Sequence, residues 1–134
     1  MRTTMLRLLG VFCAAAALLA HHSPSAEFDM SKKTTVSGTL TKVDWVNPHI
    51  NVFVDVKGGA GVEAWRLESN PPSWFRRVGT ARADFAKAIG QTVTVEANRA
   101  KDGTTFGYMT KITFQDGASM ELVSPDVANK DVSK

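Results

Sequence analysis

Cysteine is nearly absent from this 134-residue chain, with Cys13 its only example. One thiol can build neither a disulfide framework nor a thiolate metal site. The standard catalytic signatures are missing too: there is no G-x-S-x-G elbow, no H-E-x-x-H helix, no G-x-x-x-x-G-K-[ST] loop and no C-x-x-C pair. Acidic residues are scattered and nominate no matched carboxylate pair, so an enzyme would have to assemble its site through the fold alone. A strong charge of one sign is lacking as well, with 16 Lys and Arg against 13 Asp and Glu. The longest uncharged apolar run, Leu8 to Leu19, falls short of the roughly 20 residues that a membrane-spanning helix needs. What remains is a globular composition, 43% apolar and 22% charged, at a length suited to about one domain.

That apolar run follows Arg2 and Arg7 and ends near Ala20, the layout of a secretory signal over residues 1–20. A retained anchor is the competing reading. The run is apolar all round rather than striped, which argues against an amphipathic helix. Cys13 lies inside the run without the upstream leucine of a lipoprotein signal. Cleavage after Ala20 removes the cysteine and takes the basic residues from 16 to 14 against 13 acidic, a net charge near +1. The expected product is a periplasmic or secreted domain with no integral membrane segment, standing on its hydrophobic core.

Residues 21–33 (HHSPSAEFDMSKK) are polar and without period, and read as an extended arm. Period-two alternation then predicts a long first strand over Thr34 to Val46, bent at Gly38 with a phase change near Thr41-Lys42. Further strands are expected at Ile50 to Val56 and Val62 to Glu68, joined by a glycine-rich turn. Between Ser69 and Gln91 the period becomes helical, with short helices after Pro71-Pro72 and Thr80. Strands return at Thr92 to Ala97, Phe106 to Phe114 and Met120 to Val123, and residues 124–134 form a polar tail. Three strands, a helical connection and further strands over 34–123 match a mainly β fold, a small OB-like Greek-key barrel with its helix between strands three and four. An open antiparallel sheet with a helix on one face is the runner-up.

The chemistry-bearing residues are the three histidines, His21, His22 and His49. With His21 at the mature terminus, its α-amino nitrogen and imidazole would chelate one metal ion. His22 offers a second ring, and His49, placed after Pro48 between strands one and two, could complete a nitrogen-rich site if the arm folds back. Such a site suits Cu(II), then Ni(II) or Zn(II). Glu27, Asp29 and Asp44 could add oxygen ligands. The bland reading of the same residues is a solvated pair on an arm and a turn histidine bonded to a carbonyl. Trp45, Phe53, Trp65, Trp74, Phe75, Arg76 and Arg77 would suit a nucleic-acid groove, but export and a charge near +1 argue against that partner. The expectation is therefore a binding protein without catalytic activity, taking copper or another transition metal through its histidines. The alternative is an accessory module docking on a periplasmic protein through the sheet face or an exposed Trp74-Phe75.

The strings His21-His22-Ser23, Ala26-Glu27-Phe28-Asp29 and Trp45-Val46-Asn47-Pro48-His49 resemble a group of small secreted proteobacterial proteins known as a domain of unknown function. Glu68-Ser69-Asn70-Pro71, Gly90-Gln91-Thr92-Val93-Thr94-Val95 and Arg99-Ala100-Lys101-Asp102-Gly103 agree with it. The resemblance spans about Ala20 to Leu122, and W-V-N-P-H is its most specific part. It implies export and one small β-rich domain, and no particular activity, substrate or cofactor. The family's leader commonly ends in Ala-x-Ala before the His pair, where this chain has Leu18-Leu19-Ala20.

Overall fold

The computed structural model describes residues 23–122. The expected leader over residues 1–20, His21, His22 and the expected polar tail over residues 124–134 lie outside them, as does Val123 at the end of the last expected strand. The fold is mainly β, with strands β1 (Phe28–Asp44), β2 (Asn51–Gly58), β3 (Gly61–Glu68), β4 (Thr92–Ala100), β5 (Phe106–Thr113) and β6 (Ser119–Glu121). A single helical turn, α1 (Pro24–Glu27), precedes β1, and α2 (Pro72–Arg77) and α3 (Arg82–Ala86) lie between β3 and β4. The sheet order is β3-β2-β1-β4-β5-β6. Neighbours in that order are antiparallel, while β3 also pairs with β5 in parallel through Arg66↔Phe106, Leu67↔Gly107 and Glu68↔Tyr108, closing five strands into a ring.

The ring depends on β1 serving two neighbours. Its first half pairs with β4, from Phe28↔Ala100 to Thr39↔Thr92, and its second half with β2, from Thr39↔Asp55 to Asp44↔Asn51. The register slips between Leu40 and Lys42, at the phase change expected from the alternation. Gly38 stands beside this handover, and a Cβ there would collide with the Asp55 carbonyl oxygen. A bare backbone lets the strands approach closely while the sheet curls. Leu40 extends the join, donating its N–H to Gln91 O at 2.9 Å and accepting that of Gly90 at 2.8 Å.

Alternation carries Val36, Leu40, Val52, Val54, Leu67, Val93, Val95 and Ile112 into one core inside the ring. The helical connection closes one end of it with rings. Phe75 lies 5.3 Å from Trp45, 5.0 Å from Trp74 and 5.5 Å from Phe85, and Phe85 lies 5.7 Å from Phe114. Neither helix has a side-chain hydrogen bond from its N-cap residue, Pro71 for α2 and Ala81 for α3. Pro71 precedes α2, and at α3 the Asp84 carboxylate accepts the Ala81 N–H at 2.9 Å.

Two local expectations are corrected. The segment from Phe28 to Lys33 is strand rather than arm, anchored by Phe28, which is buried against Phe106 and Tyr108 at 4.8 and 5.5 Å. The proposed exposed pair Trp74-Phe75 is not exposed: Phe75 is fully buried and Trp74 packs partly buried beside it, because the short connection must supply the plug for the ring. Arg76 and Arg77 are solvent-exposed.

Gly38→Ala should destabilise the domain by about 1–3 kcal/mol, the range for forcing extra volume into a packed site. Gly58→Ala, where the added carbon would sit 3.9 Å from the nearest atom, the Gly61 carbonyl oxygen, is the control. Urea unfolding of both variants checks this, with a lowered midpoint for the first and little change for the second.

Candidate functional site

The one histidine within the described residues, His49, lies at the rim where β2 begins. The β2–β3 ladder runs to Asn51↔Glu68 and is continued by two backbone bonds, Ser69 N–H to Ile50 O at 2.8 Å and Ile50 N–H to Asn70 O at 3.3 Å. His49 and Ser69 are thereby held side by side on a fixed frame. The Asn47–Pro48 peptide before them is cis.

His49 Nδ1 lies 2.9 Å from the Ser69 carbonyl oxygen. A carbonyl only accepts, so Nδ1 carries the proton, and in the neutral ring Nε2 keeps the lone pair. Glu68 Oε1 stands 3.7 Å from the same Nδ1, and Arg66 Nη2 lies 3.9 Å from the other carboxylate oxygen. The His49 side chain is 27% exposed and that of Glu68 14%. Burial pushes the Glu68 carboxyl above the ordinary glutamate range, with His49 and Arg66 opposing the shift and the Glu27 carboxylate adding to it. A half-buried carboxylate whose ionisation is costly, next to a half-exposed imidazole, is the kind of pairing that marks functional sites.

The first described residues also reach this rim. Glu27, at the end of α1, is close enough to act on Glu68, and its carbonyl accepts the Lys101 N–H at 3.0 Å. The next residue, Phe28, packs with its ring tilted against that of Tyr108, which pairs with Glu68 in the parallel ladder and donates its hydroxyl to Asn70 Oδ1 at 2.9 Å. Ser69 and Asn70 are both essentially inaccessible to solvent, and the Ser69 hydroxyl has no hydrogen-bond partner.

Of the three histidines expected as ligands, then, only His49 lies within the described residues. Among those residues no group of three or more His, Cys, Asp and Glu is close enough to hold a metal ion. Asp29 is engaged by the N–H and hydroxyl of Ser31 at 3.0 and 2.6 Å, and Asp44 by Lys42 at 2.8 Å. Both are thus occupied away from His49. Glu68, Ser69 and Tyr108 were not anticipated as site residues. The resemblance string Glu68-Ser69-Asn70-Pro71 contained two of them, but no spacing rule links that string to His49.

A separate groove of about 360 Å³ on the outer face is lined by residues including Thr41, Lys42, Phe53, Asp55, Arg66 and Thr105. Cations and rings alternate there in cross-strand register, with Lys42 5.1 Å from the Phe53 ring centre and Arg66 4.1 Å from that of Phe106. Lys42 is paired with Asp44, and Arg66 donates from Nε to Asn51 Oδ1 at 3.1 Å.

Two outcomes follow from the rim. Removing the buried hydroxyl in Tyr108→Phe should cost about 1–2 kcal/mol, read as a lowered thermal midpoint, because an acceptor of Asn70 loses its donor. Glu68 supplies a pH dependence. Its folded-state value lies above the unfolded one, so folding takes up a proton between them and stability falls as pH rises through that window. Glu68→Gln should remove this loss and unfold at higher denaturant than the parent at pH 7, with the difference shrinking toward pH 4. An equal midpoint shift at both pH values would contradict the assignment.

No curated protein and no solved structure matches the chain. One family model does, over residues 9–110, so the match begins within the apolar run of residues 8–19 and ends inside β5. It covers most of the chain and runs through every residue of the rim described above. The protein belongs to this family of unknown function, DUF6152.

Proposed function

We propose that the protein is exported, loses its leader after Ala20, and binds one Cu(II) or a related transition-metal ion through His21, His22 and His49 without catalysing a reaction. The ring of strands is read as an OB-like Greek-key barrel whose rim carries the site. In its favour are the strand order with a parallel β3–β5 contact and the helices between strands three and four.

The observation that carries the metal reading is the 2.9 Å contact between His49 Nδ1 and the Ser69 carbonyl oxygen. The Nδ1 proton is committed to the Ser69 carbonyl, which leaves the Nε2 lone pair as the ring's ligand atom, the arrangement that metal-binding histidines commonly use. A second support is the path of the chain. It enters the described region at Ser23, directly after His22, and α1 ends beside the rim that bears His49. Nitrogen ligands with no thiolate favour Cu(II) over Zn(II) in the usual affinity order. The terminal amine and imidazole of His21 would form the chelate, and His49 would add a ring from the folded domain.

The test is to express the full sequence, purify the exported protein, sequence its N-terminus and titrate it with Cu(II) by calorimetry and electron paramagnetic resonance. The expected result is a terminus at His21, one Cu(II) per chain with nitrogen hyperfine structure, and at least about tenfold weaker binding in His49→Ala. A terminus lacking His21, or unchanged binding in His49→Ala, overturns the site.

A further inference from the structure

The groove on the outer face is independent of the metal reading, since no histidine lines it. We propose that it binds an acidic polysaccharide in which charged and neutral sugars alternate. Lys42 and Arg66 take the carboxylates of two charged sugars, and Phe53 packs on the neutral sugar between them.

The period of the site comes from the sheet. Lys42 on β1 pairs with Phe53 on β2, Phe53 with Arg66 on β3, and Arg66 with Phe106 on β5, so the four side chains form one row across the strands. The row faces outward, because the flanking Val52, Val54, Trp65 and Leu67 are buried in the core. Adjacent strands lie about 4.8 Å apart, which sets Lys42 and Arg66 roughly 10 Å from each other. Both cations lean the same way across the sheet, Lys42 over the Phe53 ring at 5.1 Å and Arg66 over that of Phe106 at 4.1 Å, so the charges keep the spacing of the strands. They are held and still accessible. Phe106 is packed edge-on to Phe28 at 4.8 Å, and Arg66 Nε is bonded to Asn51 Oδ1 at 3.1 Å, so the guanidinium has little freedom to lose on binding. Its side chain is 51% exposed and that of Lys42 is 62% exposed. An ammonium has three donors, which the one Asp44 carboxylate does not exhaust.

The rest of the lining supplies acceptors. Thr41 donates its hydroxyl to Phe53 O at 3.2 Å and Thr105 donates its own to Ala64 O at 2.7 Å, which leaves both hydroxyl oxygens with lone pairs to offer. The Asp55 carboxylate accepts as well. Carboxylates for the cations, hydroxyl donors for the acceptors and a flat C–H face for the ring are together the chemistry of an acidic sugar polymer. Each pyranose advances an extended polysaccharide by about one strand spacing, so alternating charged and neutral sugars repeat the carboxylate at the interval from β1 to β3. A polymer charged at every sugar would set a further carboxylate beside Asp55. An extended peptide returns side chains to one face at roughly 7 Å and brings few hydroxyls. A nucleic-acid strand carries a phosphate on every unit.

The experiment follows binding by calorimetry and amide chemical shifts on the purified protein expressed from its full sequence. The probes are oligosaccharides of hyaluronan, in which glucuronate alternates with N-acetylglucosamine, and of polygalacturonate, charged at every sugar, with neutral dextran and single-stranded DNA. The expected result is hyaluronan binding that shifts Lys42, Phe53, Ala64, Arg66 and Thr105 and weakens with added salt, with the other probes weaker. Lys42→Gln and Arg66→Gln should each weaken it about three- to fivefold, the size of one exposed charge contact, and Phe53→Thr by a similar factor. Arg76→Gln, which removes an exposed cation on α2, should leave it unchanged. Circular dichroism and thermal midpoints confirm that each variant is folded, and Lys42→Gln, at the most exposed of the three positions, keeps the test decisive should the other two fail to fold. Absence of hyaluronan binding, shifts confined to other surfaces, or an equal loss in Arg76→Gln overturns the inference. Polygalacturonate or DNA binding as tightly as hyaluronan also overturns it, by showing a response to charge alone.

Discussion

The close approach of β1 to β2 at Gly38 and Asp55 is the constraint on which the structure depends. A five-stranded ring leaves no room for straight strands, and β1 must turn from β4 to β2 within a few residues around Thr39. A side chain at position 38 would hold the two backbones apart at that turn. The bulge between Leu40 and Lys42 completes the change of direction. Once β1 is bent, β2 and β3 are carried round to meet β5, and the parallel contact at Arg66 to Glu68 closes the ring. The rim with His49 and Glu68 is therefore a consequence of closure, since the residues that join β3 to β5 also present Glu68 beside the start of β2.

Closure leaves an end to be filled, and the connection between β3 and β4 fills it with Phe75 and Phe85 rather than with a long helix. The two helices are too short to be stable by themselves, since isolated helices of this length do not persist in water. Their order comes from the aromatic contacts with Trp45 and Phe114, which lie at strand ends. At the opposite side of β1, Phe28 sits in a second small cluster with Ala100 and Tyr108. That cluster fastens the beginning of the described chain to the ring and fixes the point from which the preceding residues depart.

The legible and the illegible parts of the sequence divide along physical lines. Val52 and Val54, or Val93 and Val95, alternate strictly because one face is core and the other solvent, so strands β2 and β4 are visible in the pattern. Gly38 and the Thr41-Lys42 phase change were readable for the same reason, as a break in period two. Phe28 to Lys33 looked like an arm because its side chains alternate poorly: Ser31, Lys32 and Lys33 are exposed in succession where the β1–β4 register slips. The Phe75 plug was misread because an aromatic after Pro-Pro carries no mark of which way it points, and closure of a ring elsewhere in the chain decides that. Of the candidate site, His49 could be singled out by its residue type alone. Glu68 could not, since its partnership with His49 spans 19 positions of sequence and exists only because the β2–β3 ladder extends past Asn51.

The rim is also where the domain departs from its own rules of economy. Elsewhere the carboxylates that are paired, such as Asp44, Asp29 and Asp84, are at the surface and have local donors. Glu68 is drawn into the protein with a second carboxylate, Glu27, acting on it and with Arg66 only at the limit of ion-pair distance. Structure alone would be better served by a neutral side chain there, because burial disfavours the charge and nothing nearby fully compensates it. The position is set by closure: the last residue of β3 pairs with Asn51 on one side and Tyr108 on the other, and that double pairing draws its side chain into the rim whatever its charge.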